Sequence, residues 1–132
     1  MEAVRLPSLE TVLPVPMVQA DAEVRAALLE HGFDVVTEID LAATFKMKLG
    51  VERPPLKILG ACNAEFAYQA VLIDPSASLA IPCNVVLEAV AGATRVTVVD
   101  PHDLMTDVDL NELADEVATR LQAVIETMQR VR

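Results

Sequence analysis

Residues 82–100 contain two alternating runs, Pro82 to Val90 and Ala93 to Asp100, on either side of Ala91-Gly92. Two such runs across a two-residue gap ending in glycine read as an antiparallel hairpin. In that register Glu88 stands opposite Arg95. Val85, Leu87, Ala89, Val96 and Val98 share one face, which belongs to the core. The other face mixes Glu88, Arg95 and Thr97 with Val86, Val90 and Val99. That mixture suits contact with another layer or subunit better than contact with water alone.

A sheet with one apolar face needs helices to cover it, and the rest of the chain supplies them. Asp21 is placed to cap a helix running to about His31, with Val24, Leu28 and His31 at helical spacing and Gly32 as the left-handed stop. Phe33 to Ile39 alternates as a strand, with Phe33, Val35, Thr37 and Ile39 facing one way. Asp40 caps a short helix carrying Leu41, Phe45 and Leu49, and Gly50 ends it. The adjacent prolines Pro54-Pro55 make residues 51–55 a loop. Leu56 to Ala61 is a buried strand, and Asn63 caps a third helix, Ala64 to about Ile73. Asp74 to Ser78 has loop composition. The last helix has capping-box spacing at Asp109 and Glu112. Its apolar stripe, Ala114, Val117, Leu121, Val124, Met128 and Val131, is widened by Leu113, Ala118 and Ile125. Thr11 to Val15, interrupted by Pro14, is at best an edge strand. The expected fold is α+β, a single mixed or mainly antiparallel sheet covered by helices, in the order (β)-α-β-(short α)-β-α-β-β-α.

At 132 residues, the chain is expected to form a single domain over 1–132, with its core elements between about 20 and 130. Aromatics make up only 3%, so Val, Leu, Ile, Ala and Met must fill the core. No apolar run approaches the roughly 20 residues of a membrane span. The N-terminus lacks a basic start followed by an apolar stretch, and two cysteines are too few for a disulfide scaffold; the expected location is cytoplasmic. A net charge of −10 argues against binding nucleic acid. The charges are segregated: Lys46, Lys48, Arg53 and Lys57 cluster, while residues 100–116 carry seven acids and no Lys or Arg. They form either two solvated faces or a basic loop that meets an acidic partner, such as a second subunit.

Candidate chemistry centres on Ile58-Leu59-Gly60-Ala61-Cys62-Asn63 and on Cys83-Asn84. Cys62 stands where a strand turns into a helix, and the helix dipole favours a thiolate there. Cys62 is therefore the candidate catalytic residue of a thiol-dependent protein. A small buried residue beside a capping Asn63 explains the same pattern. Cys83 alternates with Val85 and Leu87 on the core face, and it approaches Cys62 if their strands are neighbours. Two thiols fill only half of a tetrahedral zinc site, so neither a metal nor a cofactor is expected. His31 suits a helix C-terminus. His102, in Asp100-Pro101-His102-Asp103, is a base in search of a nucleophile. Asp103, Asp107 and Asp109 lack the spacing of a calcium loop and read as caps.

The segments 58–63 and Ile81-Pro82-Cys83-Asn84-Val85-Val86 resemble the bacterial and archaeal "domain of unknown function 302" family. Gly32-Phe33, Glu38-Ile39-Asp40, Pro54-Pro55, Glu88 and Val99-Asp100-Pro101 match in the same order. The resemblance implies a compact α/β domain that tends to dimerise and has no settled activity, with both Cys-Asn pairs and Glu88 as its signature. The chain has Ala64 where the family often has proline, and Leu87 where it often has an aromatic residue. The functional expectation is a homodimeric module that binds a small ligand or a partner, without chemistry of its own, through Cys62, Asn63, Cys83, Asn84 and Glu88. The alternative is a redox sensor or enzyme using Cys62, with or without Cys83.

Overall fold

The computed structural model describes residues 8–131. In order these form β1 (Ser8–Leu13), α1 (Met17–Glu30), β2 (Asp34–Asp40), α2 (Leu41–Leu49), β3 (Leu56–Cys62), α3 (Ala64–Ile73), β4 (Cys83–Val90), β5 (Ala93–Val99) and α4 (Asn111–Arg130). Turns of 3-10 helix occupy Pro75–Ala80, Pro101–Asp103 and Val108–Leu110. The strands form one sheet in the order β1-β5-β4-β3-β2, and every pairing is antiparallel. The fold is α+β, as expected.

One sheet face makes the core. Leu59 and Ala61 of β3, Val85 and Leu87 of β4, and Val96 and Val98 of β5 are all buried there. They meet Ala20, Val24, Ala27 and Leu28 of α1 and the Val117, Leu121, Val124 and Met128 stripe of α4. Each large aliphatic side chain so buried stabilises the fold by about 1.5–3 kcal/mol. The opposite face carries Val12, Val86, Val90, Val99, Ile58, Leu56 and Ile39 around the charged side chains of Glu10, Arg95 and Glu88. None of these is buried.

The β4–β5 hairpin closes as expected. Val90 pairs with Ala93, so Ala91-Gly92 is the two-residue turn, with φ of 49° and 82°. Positive φ at both positions gives the turn that matches strand twist. Glu88 pairs with Arg95, and their side chains bond at 3.1 Å.

Four expectations are corrected. The first strand is Ser8–Leu13, paired along its whole length with β5, and Pro14 follows it. The first helix starts at Met17 after Pro16, and Asp21 lies inside it. The last helix starts at Asn111 after a 3-10 turn, so Asp109 and Glu112 form no capping box; Asp107 instead accepts from the Asp109 N–H at 2.8 Å. In β2 a bulge between Val35 and Thr37 splits the predicted face. Val35 pairs with Ala61 on the core side, whereas Thr37 and Ile39 pair with Gly60 and Ile58 on the open side.

Candidate functional site

The site grows from the end of β3. Asn63 adopts extended backbone and caps α3, its Oδ1 accepting from the Phe66 N–H at 3.0 Å. Its Nδ2 donates to the Gly32 carbonyl at 2.9 Å. One side chain thus ties the start of α3 to the turn after α1. Gly32 has φ of 88°, and a Cβ there would press on the Asn63 amide at 3.0 Å. Arg120 of α4 closes the same corner, donating to the His31 carbonyl at 3.3 Å and lying 5.4 Å from the centre of the Phe66 ring.

Antiparallel pairing of β3 and β4 sets Ala61 opposite Cys83. Cys62 follows Ala61 at the end of β3, and Cys62 and Cys83 both line one cavity of about 30 Å³. Phe33, Phe66, Met105 and Val117 complete much of its wall. Burial pushes the Cys83 thiol up to about 11, and the neighbouring Cys62 adds to the shift. Cys83 is thus a neutral thiol at physiological pH. Both cysteines are free and partly accessible.

Asn84 and Glu88 do not join them. They lie on the other face of β4, Asn84 opposite Gly60 and Glu88 opposite Leu56. Glu88 is held between Arg95 at 3.1 Å and Arg53 at 3.4 Å, and Arg95 also reaches Glu10 at 2.9 Å. The five sequence candidates therefore fall into two groups, with Cys62, Asn63 and Cys83 at the cavity and Asn84 and Glu88 on the open sheet face.

His102 lies elsewhere, bonded to Asp100 at 2.6 Å and Asp115 at 2.5 Å. Asp115 first, and Asp100 with it, raise its pKa above the ordinary histidine value. Its surroundings, Leu9, Ala118 and Gln122, share no residue with the thiol cavity. His31 bonds Thr127 at 2.7 Å, fixing α1 to α4. Among the described residues, no three His, Cys, Asp or Glu side chains gather as a metal site. None of the described helices is long and apolar enough to cross a membrane.

Sequence reasoning missed two features. One is Met105, whose approach to the cysteines depends on the loop after β5. The other is the ion cluster of Asp21, Arg25, Glu38 and Lys57 between α1 and the edge of the sheet. The i,i+4 pair Asp21–Arg25 was its only local signal. Burial opposes the charge on Asp21, but its bonds to Lys57 and Arg25 prevail and hold the carboxyl below its usual range. Lys57 here, Arg53 on Glu88 and Lys46 on Glu52 all find acids within the chain, so most of the basic segment is already paired.

No curated protein matches the sequence. Among solved structures, an uncharacterized conserved DUF302 protein from Bacillus stearothermophilus shares the fold, with a TM-score of 0.84 and 22% identity over 92% of this chain and 97% of that one. Residues 9–128 match the family described as "Domain of unknown function DUF302". With that match spanning nearly the whole sheet and its helices, the chain belongs to the DUF302 family.

Proposed function

We propose that the protein is a cytoplasmic homodimeric binding module without chemistry of its own. Its ligand enters the cavity walled by Cys62 and Cys83, with Asn63 holding the cavity's rim. Its second subunit covers the open sheet face around Asn84 and Glu88. The observation that carries the reading is the cavity itself, where two cysteines share a wall with apolar side chains and Cys83 keeps its proton. A neutral thiol among apolar side chains is a poor nucleophile and a good wall. The open face supports the dimer: its charges are already paired within the chain, and Val12, Val86 and Val90 surround them. Pre-paired charges cost less to bury than free ones. Free thiols suit a reducing compartment.

Native mass spectrometry and sedimentation test both halves. The expected species is a dimer with free thiols, and Val86→Glu makes it a folded monomer. A monomeric wild type would sink the dimer. Xenon, as a small apolar probe, is expected to shift the methyl resonances of Ala70 and Val117 in the cavity wall. If it shifts neither, the cavity is not a ligand site.

The presence of both cysteines on one cavity wall also supports a second reading. Two protein thiols and a small-molecule disulfide exchange into one protein disulfide and two released thiols, without net oxidation. A mass deficit of two hydrogens per chain, restored by reductant, would move this reading to first place.

A further inference from the structure

Resting on the pocket reading above, we propose that the cavity between the ends of β3 and β4 and helices α3 and α4 is a site for trivalent arsenicals, captured by Cys62 and Cys83 together. The first argument is the wall. It holds both cysteines of the chain and one of its five methionines, Met105. The one amide there, Asn63, is committed at both ends, to the Phe66 N–H and the Gly32 carbonyl. A polar ligand finds few partners inside, and burying its polar groups unpaired is costly. What the wall offers is soft sulfur.

The second argument is size. A volume of about 30 Å³ takes a group of one or two heavy atoms and not a metabolite. A single thiophilic atom fits.

The third argument is spacing and charge. The offset of one residue across a ladder places the two cysteine Cα atoms about 6 Å apart, from strand spacing and rise. A Cα separation of about 6 Å lies within the span of bridged cysteines, and both residues line the one cavity in which a shared centre would sit. The surroundings are apolar, so the adduct must be neutral. Zinc needs four ligands and finds two thiols. A cuprous ion on two thiolates leaves a negative charge in an apolar wall. Arsenite does neither. Each As–O bond that breaks is replaced by an As–S bond, and each hydroxide leaves with a thiol proton as water. The product is a neutral bis-thiol arsenic hydroxide, with arsenic and sulfur at unchanged oxidation states.

The test titrates reduced protein, freed of reductant under nitrogen, with arsenite and reads it by native mass spectrometry and calorimetry. One arsenite per chain is expected, with the loss of two water molecules. Cys62→Ser and Cys83→Ala should each weaken binding by about a hundredfold, the advantage lost when two linked contacts become one. Circular dichroism checks the fold of each variant, and Cys83→Ser replaces Cys83→Ala if the latter does not fold. Unchanged binding in either single variant overturns the two-thiol site. So does failure to bind while both thiols alkylate after unfolding, or cuprous ion binding where arsenite does not. If arsenite fails but xenon still enters, this inference falls and the pocket reading stands; if neither enters, both fall.

Discussion

Ala91 holds a positive φ that only glycine adopts freely, at the first position of the hairpin turn. Ala91→Asn should raise stability by about 1 kcal/mol, since asparagine tolerates that conformation; denaturant melts check it. Gly60 has the opposite sensitivity. A Cβ there would overlap Thr37 Oγ1 and sit 2.9 Å from Pro82 Cγ. Gly60→Ala should therefore cost about 1–3 kcal/mol, the usual penalty of overpacking. Cys83 has a pH signature. Its folded thiol titrates near 11, against 9.0 for an ordinary thiol. The folded state thus holds its proton longer than the unfolded state does. The resulting stability is complete below pH 9 and is lost as pH rises through 11. Alkaline melts of wild type and Cys83→Ala should therefore converge or cross in that window, and parallel curves would contradict it.

Among the elements, the connection from β5 to α4 depends on His102. Asp100 at the strand end and Asp115 on α4 both bond it and raise its pKa. A raised folded pKa means that the stabilisation is full below the unfolded value, near pH 6.5, and fades as pH rises through the folded one. The melting difference between wild type and His102→Gln should therefore be largest on the acid side of neutrality and shrink as pH rises through the raised folded value. Several elements were legible from local chemistry. Asn63, Gly32 and Gly50 mark helix boundaries by side-chain or backbone preference alone, and the structure places them as expected. The β2 bulge was not legible. Val35-Val36 is apolar at both positions, so the alternation carries no trace of an inserted residue. The start of α1 was hidden because Pro16 reads as a strand breaker as readily as a helix leader.

For the whole molecule, the mutual approach of Cys62 and Cys83 depends on the β3–β4 register, a pairing across a helix and a 3-10 turn. Sequence placed both residues near strand ends and left their meeting conditional. It also grouped Asn84 and Glu88 with them, although alternation along β4 turns those two the other way. Another consequence follows from β1. It lies at the sheet edge beside β5, whose partner residues come more than eighty positions later in the chain. Closing so long a loop is entropically slow, whereas the β4–β5 hairpin closes locally. The hairpin should therefore nucleate the sheet and β1 should attach last. In hydrogen exchange, the amides of Thr11 and Leu13 should open at lower free energy than those of Leu87 and Val96. Until β1 arrives, β5 presents an unpaired edge to any other copy of the chain. The same strand that completes the monomer is thus the one most readily exchanged between two of them.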